Sequence, residues 1–456
     1  MHNMKDFPIT ETIKQFASKF VENGFKLYIV GGAVRDHLLH IENDDFDFTT
    51  DATPQNVIQM FKKTIPTGLK HGTVTVLFKG EAFEVTTFRS ESDYLDGRHP
   101  DTVSYVKNLE EDLKRRDFTI NALAADAVTG KIIDMHDGIG DIKRKVIKAI
   151  GIPEERIKED GLRIMRACRF ASKLDFEVES ETFDAMVKNQ NNIRSVSNER
   201  IREELYKMLK GMAPVKGLNL LYDCGLMDIV LPEIACLKGV TQGGRHTDDV
   251  FDHTLKTVEA AKNLEYPLNI RIAALFHDCG KKQTQELDPT RGDDSYSFFQ
   301  HEIVGSKICA KTLRRLKDSN ENIKDISNLV KNHMFAYIPS WSDGAVRRFI
   351  NRVGRDSIND LFKLRMCDIY AMSGKADWSH VEALESRIKQ ILIDCDALSV
   401  KDLDINGKDL MDLGIPRGPM FSRILNYLLE TVLDDPNQNK KEQLKVIASN
   451  FYEEIK

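Results

Sequence analysis

The sequence predicts an α+β chain, a small mixed β-sheet head with helices followed by an all-helical body. Three observations carry that prediction. Residues 1 to about 150 alternate helical and strand periodicities. From about 150 onward strand patterns all but vanish, and long charged amphipathic helices dominate. The chain has 456 residues, too many for one core, so two to four domains are expected. Glycines in KGVTQGGRH (Gly239, Gly243 and Gly244) punctuate it near 240, and SVKDLDINGKDL does so near 400. Four segments follow: 1–150, 151–240, 241–395 and 396–456.

Within the head, ITETIKQFASKFVENGF reads as an amphipathic helix, KLYIV as a buried strand and AVRDHLLH as a short helix. TPQNVIQMFKK is a further helix, with Thr53 as its N-cap and Pro54 behind it. GTVTVLF and AFEVTTF alternate around KGE, the pattern of a hairpin.

Hydrophobic content of 41% and charged content of 30% describe a soluble globular protein. MHNMKDFPIT lacks an apolar core for export, and no run is long enough to cross a membrane, so a cytoplasmic location without membrane partners is expected. Seven scattered cysteines without a C-x-x-C pair suit free thiols in a reducing compartment and argue against cysteine-ligated zinc. At a net charge of −6, a nucleic-acid partner must be gripped by local basic patches. KRK at 143–145 and RRFINRVGR from 347 are candidates.

In ENDDFDFTTDATP, Asp45 and Asp47 stand two apart around Phe46, with Phe48 after them. On a strand this spacing places both carboxylates on one face, where their repulsion costs stability unless a cation sits between them. Just upstream, Gly31 and Gly32 follow the strand KLYIV and precede a helix carrying Arg35 and Asp36. Glycines there let backbone N–H groups approach a phosphate, and Arg35 favours its charge. Paired carboxylates beside phosphate oxygens suit Mg²⁺, and Glu84 on AFEVTTF is a candidate third carboxylate.

GGAVRD followed by DFD resembles the nucleotidyltransferase signature of class II tRNA CCA-adding enzymes and bacterial poly(A) polymerases. RRDFTINALA, DMHDGIGD, EDGLRIMRACRF and SNERIREEL resemble the family's later motifs, in order. INGKDLMDLGIP with GPMFSRILNYLL is similar to its C-terminal tRNA-binding segment. The resemblance implies a polymerase-β-like head, a nucleotide-selecting helical neck and a tRNA-binding tail. It implies that Asp45 and Asp47 hold metal ions that bind the triphosphate and activate the primer 3′-hydroxyl. By the same resemblance Gly32, Arg35 and Arg116 hold the triphosphate, while Asp117 and Asn121 order the sugar and pocket. The polar segment FRSESDYLDGRHPDTVSYV matches a loop associated in the family with A addition.

EDGLRIMRACRF admits two readings. In a helix Asp160 and Arg163 face the same way, with Arg166 and Arg169 continuing the stripe. Cytosine and adenine both present an amino donor beside a ring-nitrogen acceptor, so a carboxylate and a guanidinium could select them without a template. The alternative is an i,i+3 salt bridge on a solvated helix. The accompanying motifs favour selection.

His253 in VFDHTL, His277 and Asp278 in ALFHDCGK, and Asp368 in RMCDIYA resemble an HD phosphohydrolase domain. The resemblance implies a divalent ion, possible as a transition metal, held by those four residues. His301 and His333 fall where some HD domains have further ligands or phosphate contacts.

The expected function is addition of C, C and A from CTP and ATP to the 3′ end of tRNA, whose acceptor stem is recognised by shape. A second phosphohydrolase activity in the HD domain accompanies this expectation. Two alternatives stay open: a poly(A) polymerase or A-adding enzyme of the same family, and an HD phosphohydrolase whose N-terminal domain binds RNA.

Overall fold

A computed structural model describes residues 6–43, 45–69, 72–92, 102–106, 108–242, 248–288, 290, 296–375, 377–394 and 399–456. Of the expected A-addition segment, 88–92 and 102–106 are described, while Asp93, Tyr94, Asp96, Gly97 and Arg98 lie outside the described residues, as do Gly243 and Gly244. The chain forms two compact units, residues 1–235 and 236–456.

The first unit begins with α1 (Glu11–Glu22), capped by Thr10, whose side chain accepts from the Ile13 amide. Five strands follow with two helices between them: β1 (Leu27–Val30), α2 (Gly32–Leu38), β2 (Asp47–Thr50), α3 (Pro54–Met60), β3 (Thr64–Gly68), β4 (Thr73–Phe78) and β5 (Glu81–Thr87). A two-stranded ribbon, β6 (Arg89–Ser92) with β7 (Thr102–Tyr105), leads to α4 (Leu109–Lys114), β8 (Leu123–Asp126) and β9 (Ile132–Asp134). The main sheet runs β3-β4-β5-β2-β1-β8-β9. Only β2 and β5 pair in parallel within it, so it is mixed as expected.

Alternation decides which face is core. Phe48 and Phe83 turn inward against Phe16 of α1, with ring centroids 5.3 and 4.7 Å away. The β4–β5 hairpin closes through Lys79 and Gly80, both at positive φ (53° and 90°), as a two-residue hairpin turn demands. α3 carries the expected cap: Thr53 and Asn56 form a capping box with Pro54 at the first turn.

The unit continues as helices α5 (Gly138–Arg144), α6 (Pro153–Glu159), α7 (Leu162–Leu174), α8 (Ser180–Asn189), α9 (Asn198–Leu209), α10 (Pro214–Asp223), α11 (Met227–Val230) and α12 (Pro232–Ala235). One short parallel strand pair, β10 (Val146–Ile147) with β11 (Glu177–Val178), interrupts them.

The second unit comprises α13 (Val250–Asn263), α14 (Leu268–Phe276), α15 (Lys281–Thr284), α16 (His301–Arg315), α17 (Asn320–Asn332), α18 (Asp343–Val353), α19 (Ile358–Ser373), α20 (Ser379–Asp394), α21 (Gly407–Asp412), α22 (Pro419–Asp434) and α23 (Lys441–Ile455). A small hairpin, β12 (Gln285–Leu287) with β13 (Tyr296–Phe298), departs from the all-helical expectation. α14 packs against α13, α16, α17 and α19, and the ends of these helices carry the histidines described below.

Candidate functional site

Asp47 opens β2, and the strand's alternation turns its side chain away from the buried Phe48. Asp45 does not share the strand. It precedes β2 in irregular chain, its amide donating to Asn43 Oδ1 (2.8 Å). Parallel pairing sets Asp47 in register with Glu84 on β5. Asp45, Asp47 and Glu84 are all exposed. Although solvent reaches Asp47, surrounding protein strips part of its hydration and raises its carboxyl pKa. Asp45 and Glu84 add to that rise and Arg116 opposes it.

Arg116 sits behind the glycine turn. Gly31 has a φ of 70°, a conformation that favours glycine, and a Cβ there would stand 3.0 Å from Arg116 Nη1, a tight approach to the end of that side chain. Arg116 reaches Asp112 only at 3.7 Å, and its buried Nε has no hydrogen-bond partner. Burial lowers its pKa, against the pull of nearby carboxylates including Asp112 and Asp47. An under-satisfied guanidinium beside three carboxylates is a donor set suited to an anion that arrives with a cation.

Arg35, expected at the triphosphate, is held in a buried network. It is 3% exposed, bonds Asp36 Oδ1 through Nε (2.7 Å) and donates through Nη1 to Asn121 Oδ1 (2.6 Å). Asn121 Nδ2 in turn donates to Asp117 Oδ1 (3.0 Å), and Arg166 Nε to Asp117 Oδ2 (2.7 Å). Burial pushes the Asp117 carboxyl up, but the Arg166 charge and hydrogen bonds from Asn121, Arg166 and the Phe118 amide outweigh it and hold it at about 2. Asp36 also bonds Asn43 (3.1 Å) and Lys173 (3.0 Å). The chain from Asp36 through Arg35, Asn121 and Asp117 to Arg166 ties α2 to α7. Gly32, half-buried at the start of α2, lies beside it.

The expected Asp160–Arg163 face also changes. Asp160 ends α6 in an extended conformation and α7 begins at Leu162, so the two do not share one helix. Asp160 Oδ1 accepts from the Leu162 amide (2.9 Å), an N-cap geometry, and Oδ2 from Arg200 (2.9 Å). Arg163, 7% exposed, pairs with Glu159 and donates to Arg115 O (3.1 Å). The i,i+3 bridge is therefore not formed. Arg169 pairs with Glu204 (2.6 Å) and lies over the Phe170 ring at 4.0 Å.

Reading motifs in isolation missed Arg200, Glu204 and Lys173. Arg200 and Glu204 belong to SNERIREEL, whose four-residue spacing was the available signal.

In the second unit, His253 from α13, His277 at the end of α14 and Asp368 from α19 bring donor atoms within 4.8 Å of one another. Asp278, His301 and His333 do the same. All six are buried. His253 Nε2 lies 3.1 Å from Asp368 Oδ1 and 3.3 Å from His277 Nε2. Burial opposes charge on Asp278, but His277, Lys281 and His301 hold its carboxyl well below the usual range. Lys281 (2.7 Å from Asp278) and Arg365 (2.6 Å from Asp368) are further residues missed, each three positions from its partner on or near a helix.

Of the candidate basic clusters, Arg347 and Arg348 are engaged internally. Arg347 donates to Leu433 O (2.6 Å) and Asp434 O (3.0 Å), and Arg348 pairs with Glu430 and Asp434, fixing α18 to α22. Arg352 and Arg355 instead line a polar cleft with Lys324 and Lys331. Arg144 pairs with Asp137 and Asp141, both at 2.7 Å.

Residues 27–148 match the "Poly A polymerase head domain" model, and residues 175–237 the "Probable RNA and SrmB- binding site of polymerase A". Residues 296–448 match a "tRNA nucleotidyltransferase domain 2" model. A CCA-adding enzyme of Lactobacillus johnsonii is 53% identical over 425 residues, 92% of this chain and 92% of the relative. One from Ligilactobacillus salivarius is 36% identical over 454 residues, 99% of this chain and 97% of the relative. Among solved structures, the Bacillus stearothermophilus CCA-adding enzyme in complex with CTP is similar, with a TM-score of 0.69 and 29% identity. That match covers 97% of this chain and 98% of the other. No described helix is long and apolar enough to cross a membrane. With two such relatives aligned along nearly their whole length, the chain belongs to the family of CCA-adding enzymes.

Proposed function

We propose that this chain adds C, C and A to the 3′ end of tRNA, using CTP and ATP and no nucleic-acid template. The observation that carries this reading is Asp47 in register with Glu84, beside Asp45 and an under-satisfied Arg116, in a chain of the CCA-adding family. Asp45 and Asp47 would hold Mg²⁺, with Glu84 beside them, since all-oxygen donors left open to solvent suit a hard ion that keeps water and phosphate ligands. When bound, the ion supplies charge neutralisation at the phosphates and lowers the pKa of the attacking hydroxyl. Arg116 and the Gly31–Gly32 turn position the triphosphate, while the Asp117–Asn121–Arg35 network holds that turn against α7. The primer 3′-oxygen then attacks the α-phosphorus in line, the bond to the β-phosphate breaks and pyrophosphate leaves.

Nucleotide choice falls to Asp160 and Arg163, with Arg166 and Arg169 steadying them. Their present partners, Arg200 and Glu159, are exchanged for the base on binding. Segment 1–150 acts as catalytic head, 151–240 as selecting neck, 241–395 as an HD-type domain and 396–456 as tRNA-binding tail, in a cytoplasmic enzyme. A second reading concerns residues 241–395, where six buried His and Asp side chains favour a divalent transition-metal centre that hydrolyses phosphate esters.

The test uses purified protein, Mg²⁺, single nucleotides and tRNAs ending before, within and after CCA. C, C, A addition followed by arrest supports the proposal. Long A tails support a poly(A) polymerase, and no incorporation supports a phosphohydrolase with an RNA-binding head.

A further inference from the structure

We propose that Phe170 is a positioning residue for nucleotide addition, its ring holding the arginines of α7 in register with Arg35 behind the glycine turn. The inference deepens the proposed function and rests on it for the reaction.

Three guanidinium groups converge on this one ring. The Cζ of Arg169 lies 4.0 Å from its centroid, that of Arg35 5.1 Å and that of Arg166 5.5 Å. All three fall within the roughly 6 Å over which an aromatic face attracts a cation. Arg169 is the chain neighbour of Phe170, and Arg166 is one helical turn before it on α7, so local geometry brings both near. Arg35 has no such reason to be there, since it comes from α2. Phe118 packs edge-on against the same ring, with centroids 5.9 Å apart and an interplanar angle of 81°. Phe170 is 3% exposed, so little water screens the ring from the cations.

The arginines each answer a different carboxylate. Arg35 pairs with Asp36, Arg166 with Asp117 and Arg169 with Glu204, each at 2.6 Å. Arg35 and Arg166 are also joined through Asn121 and Asp117, whereas Arg169 stands outside that chain. The ring touches all three. Like charges this close repel one another. Burial holds the Arg169 pKa down at about 10, with Glu204 and Asp117 opposing the fall and Arg166 and Arg35 adding to it. The negative face of a ring offsets that repulsion without bringing in a further charge. An aliphatic side chain would fill the space and supply no such field.

The elements gathered here are those the reaction needs in register. α2 follows the Gly31–Gly32 turn, Phe118 adjoins Asp117, and α7 carries Arg163 and Arg166. A nucleotide must meet the turn with its phosphates and α7 with its base at the same moment. A misplacement of about 1 Å at the reacting atoms can cost about 10²-fold in rate, even when its cause is remote. Buried as it is, Phe170 acts through the arginines and not on the nucleotide itself.

Fluorination of the ring in the full-length chain tests this, because fluorine withdraws charge from the aromatic face while nearly keeping its shape. Phe170 is replaced by 4-fluoro-, 3,5-difluoro- and 3,4,5-trifluorophenylalanine, and kcat/KM for CTP is measured with Mg²⁺ on tRNA lacking CCA. It should fall stepwise with fluorine number, by about tenfold at three, and Phe170→Leu should fall at least as far. A packing role alone predicts wild-type kcat/KM throughout the fluorinated series, with a loss only in Phe170→Leu. That result overturns the proposal, as does a stepwise fall in melting temperature with kcat/KM unchanged. If Phe170→Leu does not fold, the fluorinated series still decides. A wild-type chain that adds no CTP strikes the proposed function itself, and this role with it.

Discussion

The candidate metal ligands of the two units are opposites. In the head, Asp45, Asp47 and Glu84 are exposed and offer only oxygen. In the second unit, His253, His277, Asp278, His301, His333 and Asp368 are between 1% and 5% exposed, and four of the six offer nitrogen. On the proposed function, an ion at the open site would keep coordination positions for the oxygens of a triphosphate and of an RNA end. A closed site must bring its own donors, and imidazole makes it selective for transition ions over Mg²⁺. The contrast also appears in electrostatics. Asp47 is raised by lost hydration and like charges, whereas Asp278 is held down by histidines and Lys281. Among the described residues Asp45, Asp47 and Glu84 form no ion pair, with Arg116 acting on Asp47 only through its charge, whereas Asp278 and Asp368 pair with Lys281 and Arg365.

The sharpest way to break this comparison is to remove one side of it. Asp45→Ala or Asp47→Ala should lower nucleotide addition by about 10³-fold or more, with an unchanged circular dichroism spectrum, because the ion's charge stabilisation is lost. A folded mutant that incorporates CTP at a near-normal rate would show that the ion is held elsewhere. Conversely, 1,10-phenanthroline with excess Mg²⁺ should strip the second unit and silence any phosphate-ester hydrolysis. Addition should stay within about twofold, since oxygen-only sites bind that chelator's preferred metals poorly.

Next in size is the support behind the head site. Asp117→Ala leaves Arg166 and Asn121 facing an empty buried position, and uncompensated burial of this kind costs about 3 kcal/mol. Chemical denaturation should read that loss, with addition falling too as Arg35 and the glycine turn loosen. Loss of addition with full stability would instead mean that Asp117 contacts substrate directly. Asp160→Ala should cost about 1–3 kcal/mol of preference for CTP and ATP over UTP and GTP. Single-nucleotide incorporation with all four triphosphates measures this, and unchanged selectivity would reduce Asp160 to the α7 cap it forms with Leu162.

How much of this was legible in the sequence varies with the range of the interaction. α1, β1, α2, α3 and the β4–β5 hairpin follow local periodicity and caps, and the sequence reading finds each of them. β3 escaped it, because TIPTG is polar, contains Pro66 and forms a sheet edge, where alternation is weak and proline is tolerated. β10 and β11 are two residues each and exist only through pairing across about thirty positions of chain. At the sites, residue types were legible but partners were not. Arg35 and Asp160 both stand in recognisable motifs. Neither motif reveals that Arg35 is consumed by Asp36 and Asn121, or that a helix break at Asp160 separates it from Arg163. The histidines were visible as isolated positions. Their sorting into two triads depends on five helices meeting in space.

The smallest effect sharpens the comparison most directly, because it reads Asp47 without any catalysis. A carboxyl whose folded pKa is raised binds its proton more tightly in the native state, so stability falls as pH climbs through that raised value and stays lower above it. At neutral pH the metal-free protein therefore carries a charge that the fold disfavours. Asp47→Asn keeps the shape and removes that charge, so in EDTA at pH 7 it should melt slightly above wild type. Because solvent screens an exposed group, the gain should stay under about 1 kcal/mol. Added Mg²⁺ should reverse the order, since it stabilises wild type by occupying a site the Asn variant has lost. At acidic pH, once Asp47 is protonated in both folded and unfolded chains, the difference in EDTA should vanish. An Asn variant less stable than wild type in EDTA would mean that Asp47 already has a cationic partner within the chain. Arg116 would then be answering it in full, and the open site would not be waiting for an ion.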